Sequence, residues 1–268
     1  MKLLTLNCHS WQEENQWEKI RTIAEVIDQN DYDVIALQEV SQHVHANKLS
    51  GGVKEDNFAY VLIKELKKRG NNNYTMVWDV AHLGYDVYEE GLAILTKHPV
   101  TATESFYITE SEDVSFWKAR KIVGATIRYM ERELTFYSCH LGWWGDDEES
   151  YKNQADRLVE KASEHDVYFL LGDFNNDGST DGEGYDYLMS KGLTDTYTEA
   201  VTKDNGTTVV GDIAGWDGNE KGLRIDYIFT NVSLPVHGST VIFNGKNRPV
   251  VSDHFGVEVI VEAPLPQV

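Results

Sequence analysis

The chain has 268 residues, enough for one large α/β domain or two small ones. Hydrophobic residues make up 41% and charged residues 25%, a globular composition that excludes a disordered chain. Forty-four Asp and Glu against 24 Lys and Arg give a net charge of −20, which repels a polyanion over roughly 10 Å and counts against a nucleic-acid partner far more than against a small anion.

The first apolar run, residues 3–6, is too short for a signal-peptide core and is interrupted by Asn7 and His9. Residues 17–29 follow, with Trp17, Ile20, Ile23, Ala24 and Ile27 at helical spacing. A strand-length run at 34–37 leads into a polar stretch, 42–57, and then a second helical pattern at 58–68. Further strand-like runs lie at 92–95, 122–127, 134–137, 168–171, 225–229 and 255–260, with a third helix at 151–163. Most of these runs are rich in β-branched or aromatic residues and nearly continuous, as expected of strands covered on both faces. Helices separate some strands and not others, which predicts mixed sheets with helices outside. Residues 204–222 hold five glycines and read as a second long loop; loops of this size often bind. No repeat or linker divides the chain, so a single domain over 1–268 is expected. Two cysteines, Cys8 and Cys139, make neither a disulfide framework nor a zinc pattern and read as packing residues. No stretch reaches the roughly 18 apolar residues of a membrane span. A cytoplasmic, reducing setting is the expectation.

Polar residues gather at the strand ends. Residues 3–6 lead into Asn7, 34–37 into Gln38 and Glu39, 134–137 into His140, and 168–171 into Asp173 and Asn175. The later runs carry theirs at the start, as Asp226 and as Asp253-His254. If the early strands run opposite to the last two, all these ends meet at one rim, where such folds place ligands. Glu39, Asp173 and Asp253, with amide oxygens of Asn7 and Asn175, form an oxygen-rich set suited to Mg²⁺ or Mn²⁺. His140 and His254 supply proton transfer or hydrogen bonds near neutral pH, and Asp226 is placed to orient one of them. Charge neutralisation, an activated water and a protonated leaving group are what hydrolysis of a phosphate ester needs. Asp173 and Asn175 face one side in an extended segment, whereas Asp253 and His254 share a site only if the chain bends or each serves a different edge.

The segments TLNCH (5–9), LQEV (37–40), EGLAILTKHPV (90–100), SCHLGW (138–143), GDFNN (172–176), RIDYIF (224–229) and SDHFGV (252–257) resemble, in order, the motifs of the endonuclease/exonuclease/phosphatase superfamily. The resemblance implies a four-layer α/β sandwich of two packed mixed sheets flanked by helices, and a Mg²⁺-dependent attack of water on phosphorus. It implies that Glu39 is the principal metal ligand, with Asn7 beside the metal or phosphate and Asp253 in the terminal Asp-His pair. It further implies that Asp173 and Asn175 position the nucleophilic water and the phosphate, with His140 and His254 at the reacting phosphate and Asp226 supporting His254. A carboxylate before the glycine of the GLAIL strand pairs with the histidine in some members, and Glu89 is the choice here, with Glu90 as competitor. Arg120 falls where several members bind phosphate, with Lys118 and Lys121 equally near.

Motif support is missing for His9, His43, His45, His82, His98, His165 and His237, which read as surface or capping residues; His43 and His45 follow Glu39 on a loop that could touch substrate. The run 146–149 reads as a solvated helix start. No basic run interleaved with aromatics and no exposed apolar hairpin is present in the sequence, so nucleic acid and lipid surfaces are unfavoured. Trp143 and Trp144 follow His140 and read as a platform for a sugar ring. The expected substrate is a small sugar phosphate, in line with a resemblance to bacterial sugar-phosphate phosphatases such as those acting on maltose 6'-phosphate. The alternative is a nuclease or phosphodiesterase with the same metal chemistry.

Overall fold

The apolar runs form strands because alternate side chains find cover on both faces. The computed structural model describes residues 1–263. In chain order it contains β1 (Lys2–Asn7), α1 (Gln16–Asn30), β2 (Val34–His43), α2 (Phe58–Lys68), β3 (Thr75–Gly84), β4 (Tyr88–Thr96), β5 (Val100–Tyr107) and β6 (Lys121–Tyr129). Next come β7 (Arg132–His140), α3 (Tyr151–Ala162), β8 (Tyr168–Asp173), α4 (Gly184–Ser190), β9 (Thr194–Asp195), α5 (Thr196–Glu199) and β10 (Thr202–Lys203). The chain closes with β11 (Val209–Val210), β12 (Gly222–Leu223), β13 (Asp226–Thr230), β14 (Val236–Ile242) and β15 (Gly256–Val261).

One sheet has the order β10-β14-β15-β1-β2-β4-β3, the other β5-β6-β7-β8-β13-β9, and β11 and β12 form a small two-stranded sheet. Side-chain parity sorts the core into layers. In β1 and β2, Leu4, Leu6, Ile35 and Leu37 face α1 and α2, while Leu3, Val34 and Ala36 face the second sheet. In β7 and β8, Leu134, Phe136, Phe169 and Leu171 face inward, and Tyr137, Cys139, Tyr168 and Leu170 pack with α3 and α4. The result is the expected four-layer α/β sandwich. Cys8 and Cys139 are both buried on the helix-facing sides.

Strand direction brings the polar ends together. β1 runs parallel to β2 and antiparallel to β15. β7 runs parallel to β8, and β13 antiparallel to it. The ends of β1, β2, β7 and β8 therefore share a rim with the starts of β13 and β15. Below that rim the sheets are joined by a polar link, Thr5 Oγ1 donating to Gln38 Oε1 at 3.2 Å and Gln38 Nε2 to Ser138 Oγ at 2.9 Å.

Three long strands, β3, β5 and β14, have no counterpart among the predicted runs. β3 and β5 are edge strands: β5 is largely exposed on one face and β3 is mostly half-buried, so neither sequence shows a long apolar run. The acidic run 146–149 is not simply solvated: Asp146 pairs with Lys118 at 2.7 Å, and buried Glu149 accepts the backbone N–H groups of Glu110 and Ser111. No helix among the described residues is long and apolar enough to cross a membrane.

Candidate active site

Parity also aims the site. Asn7 continues the inward face of Leu3 and Thr5, His140 that of Phe136 and Ser138, Asp173 that of Phe169 and Leu171, and Asp226 that of Ile228. Glu39 belongs by parity to the helix face. It is turned by a break in register between Leu37 and Val40, where its own φ is 51°. The bulge brings the Glu39 carboxylate to Asn7, whose Nδ2 donates to Glu39 Oε1 at 2.9 Å and to Asp173 Oδ2 at 3.1 Å.

Glu39, His140 and Asp173 open into a cavity of about 370 Å³, whose lining does not include Asn7 or Asp226. His9, Glu39, Glu90, Arg120, His140, Asp173, Asn175, Asp253 and His254 line it, with Tyr85, Trp117 and Trp143 as its large aromatic members. Asp253 and His254 serve different edges through a bend in the chain. Asp253 lies 3.7 Å from His9, while His254 Nδ1 meets Asp226 Oδ2 at 3.0 Å and its Nε2 stands 3.7 Å from Asp173. Asn175 follows a turn rather than an extended segment, with φ 48°. Its backbone N–H donates to Asp173 Oδ1 at 2.8 Å, which keeps both side chains at the cavity.

Electrostatics divides the two histidines. Burial works against charge on His254, but the Asp226 and Asp173 carboxylates outweigh it and hold the imidazole well above its usual pKa. His140 goes the other way: burial, then Arg120, His82 and His254, keep it neutral. Burial raises Asp173 to about 7, opposed by His254 and reinforced by Asp226. Burial raises Glu90 to about 8, reinforced by Glu39 and opposed by Arg120.

The residues fit a hard divalent cation. Glu39, Glu90, Asp173 and Asp253 line the cavity, where Arg120 is the one permanent cation among the described residues, and two of these carboxyls are raised by burial in their crowded surroundings. Two groups of three side chains have ligand atoms within 4.8 Å of one another, namely Asp173, Asp226 and His254, and His9, Glu13 and Asp253. In both groups hydrogen bonds already occupy much of the donor capacity, since His254 is bound to Asp226, and Glu13 to His9 and Lys19. Glu39, whose carboxylate accepts only from Asn7 among the described residues, is the freer ligand.

Residues 15–254 match the Endonuclease/Exonuclease/phosphatase family. The chain belongs to that family. An endonuclease/exonuclease/phosphatase family protein from Leptotrichia buccalis is 41% identical, with a TM-score of 0.92 over 98% of this chain and 99% of that one. The mannosyl-6-phosphatase of Bacteroides thetaiotaomicron superposes with a TM-score of 0.74 at 19% identity over 98% and 99% of the two chains. Truncated TDP2 of Caenorhabditis elegans gives 0.64 at 16% identity over 98% and 97%. The last two share the fold. No curated protein matches the sequence significantly. Enzymes of the endonuclease/exonuclease/phosphatase family are hydrolases, typically dependent on a divalent metal.

Within this family frame, two expected positions need correction. Glu89 does not line the cavity. It has the parity of Ala93 and Leu95, faces the helix side, and meets Gln42 Nε2 at 2.6 Å and Lys54 Nζ at 2.9 Å. Glu90 shares parity with Leu92 and Ile94 and lines the cavity instead. Trp144 likewise points away from its neighbour Trp143, packing edge-on to Tyr151 at 5.8 Å under Lys152. Of the basic trio, Arg120 reaches the cavity, whereas Lys118 pairs with Asp146 and Glu148, and Lys121 with Asp79.

Sequence reasoning passed over His82 and His9. His82 reaches the cavity through a register shift after Val80, sits 3.3 Å from Glu90, and is held neutral at about 3 by burial and Arg120. A Cβ on Gly91 would meet Asp79 O at 2.0 Å, so only glycine lets β3 approach β4 there. His9 also lines the cavity, and sits 2.8 Å from Glu13. His43 and His45 lie in a separate surface groove with Trp11, Trp17 and Tyr88. Counting strand parity through 88–96 would have selected Glu90; no sequence signal marks His82.

Proposed function

We propose that the protein is a metal-dependent phosphatase acting on a small soluble phosphomonoester of the cytoplasm, most naturally a sugar phosphate. The observation that carries this reading is the cavity itself. Its volume of about 370 Å³ suits one small molecule, Trp117 and Trp143 offer indole faces 6.2 Å apart by centroid, and Arg120 is buried behind them. A nuclease would be expected to present a basic track beside its site. The shared fold of a mannosyl-6-phosphatase supports the same reading.

Glu39, Asn7 and Asp253 would hold Mg²⁺ or Mn²⁺, whose chemistry there is to offset charge on the phosphoryl oxygens. Arg120 binds the phosphate, and its Nε is buried with no partner among the described residues. His254, kept protonated by Asp226, donates to a phosphoryl oxygen as negative charge grows in the transition state. Asp173 and Asn175 orient the attacking water, and Asp173 accepts its proton. Neutral His140, 3.7 Å from Asp173, contributes a hydrogen bond without adding a second positive charge. Trp143 and Trp117 pack against the sugar.

The test is a substrate panel with purified protein and Mg²⁺: maltose 6'-phosphate, mannose 6-phosphate and other sugar phosphates, a sphingomyelin-type diester, and plasmid DNA. Free phosphate from a sugar phosphate with intact plasmid is the expected result. Plasmid nicking that vanishes in Asp173→Ala, with no sugar phosphate cleaved, would replace this reading with a nuclease.

A further inference from the structure

The glycine-rich segment 204–222 belongs to none of the motifs, yet it holds the site from three directions. Val209, Leu223 and Ile225 form a small apolar core against which Ile213 and Trp216 pack. At its base, Thr208 Oγ1 accepts the backbone N–H groups of Ile225 and Asp226 at 3.2 and 3.3 Å. Thr208 O accepts that of Phe255 at 2.7 Å, and Val209 bridges to His254. At its tip, Ile213 and Ala214 line the cavity. Gly215 lies against the edge of Trp143, where a Cβ would fall 2.2 Å from Cζ2, and its φ of +83° favours glycine. The next residue, Trp216, donates its indole Nε1–H to Asn175 Oδ1 at 3.2 Å.

That bond fixes the Asn175 amide. A carboxamide offers two N–H donors and two acceptor lone pairs. Asn175 Nδ2 donates to Leu141 O at 2.9 Å and Oδ1 accepts from Trp216, so the plane of the amide is set from both ends. One N–H and one lone pair remain for the cavity that Asn175 lines. We propose that Trp216 is a positioning residue for Asn175, and that segment 211–219 is a working part of the active site. The inference rests on the reading of Asn175 as a catalytic residue, and not on which ester is cleaved.

Trp216→Phe removes the N–H and keeps an aromatic ring on the small core. With Mg²⁺ and the best-cleaved ester of the panel, or p-nitrophenyl phosphate, kcat should fall about 10- to 100-fold while KM moves less than about threefold. In an Asn175→Ala background the same substitution should change kcat less than about twofold, because the group it positions is gone. Wild-type kcat in Trp216→Phe would overturn the proposal, as would fully multiplicative losses in the double variant. A second readout needs no turnover. In ¹⁵N-labelled protein, the indole N–H peak that disappears in Trp216→Phe should shift in Asn175→Ala; an unmoved peak would overturn the contact. If no ester is cleaved while that peak shifts, the phosphatase reading fails and the contact stands.

Discussion

A buried imidazolium needs a carboxylate within hydrogen-bond reach, and His254 has Asp226 at 3.0 Å. Asp226→Asn keeps the shape and removes the charge, so kcat should fall about 10- to 100-fold. The pH profile should change in a stated direction. Asp226 raises the His254 pKa, so the protonated form persists to higher pH in the wild type. In the variant the alkaline limb should move to lower pH; an unmoved limb would contradict a protonated His254. Glu39 and the two adjacent glutamates separate in the same way. Glu39→Ala should raise the Mg²⁺ concentration needed for half-maximal rate by about tenfold or more and cut turnover, as read by metal titration. Glu90→Gln should reduce kcat/KM, since Glu90 lines the cavity. Glu89→Gln should leave activity near wild type and lower the melting temperature instead, because it weakens the partner of Lys54, which is 1% exposed.

At the scale of elements, Asp33 shows how strand ends are fastened far from the chemistry. Its Oδ2 accepts the backbone N–H of Lys2 at 2.7 Å, its Oδ1 meets His98 Nε2 at 2.7 Å, and its carbonyl accepts Thr96 Oγ1 at 2.8 Å, tying β1, β2 and β4. Burial alone would raise this carboxyl, but His98, the Lys2 amide and Lys97 outweigh it and hold it at about 2, against 3.8 ordinarily. A depressed acid stabilises the fold above its unfolded pKa and loses that contribution as pH falls through the folded one. Asp33→Asn should therefore cost about 1–2 kcal/mol at pH 7 and only a small fraction of that at pH 2, measured by urea unfolding across that range. Elements of this kind were legible where both faces are covered. The runs of β1, β2, β7 and β8 could be read directly, and with them the polar residues at their ends. β3 could not, because an edge strand needs no continuous apolar run, and its bulge at Val80 is what delivers His82. Trp216 could be placed on a candidate rim loop, but not its partner: the hydrogen bond to Asn175 spans 41 positions and exists only once the loop has folded back over the rim.

For the molecule as a whole, the charge of −20 sets how any anion approaches, the proposed phosphate ester included. A net charge of one sign produces a field felt beyond the cavity, and a dianionic substrate of the class proposed would have to cross it before Arg120 could act at short range. Screening weakens the distant repulsion first, because the Debye length shrinks from about 20 Å at low salt to about 8 Å at physiological ionic strength. The short-range contacts lie in a cavity whose key groups are buried and are screened much less. A sugar-phosphate phosphatase built this way should show kcat/KM rising about two- to threefold as KCl is raised from about 25 to 150 mM at fixed Mg²⁺. A protein that grips a nucleic-acid backbone behaves oppositely, losing orders of magnitude in affinity over the same range as released counterions return. Initial rates on one sugar phosphate across a salt series therefore test the substrate class through the global field, independently of any residue in the site. A steep fall of kcat/KM with salt would mean that a basic surface, rather than the enclosed cavity, governs capture.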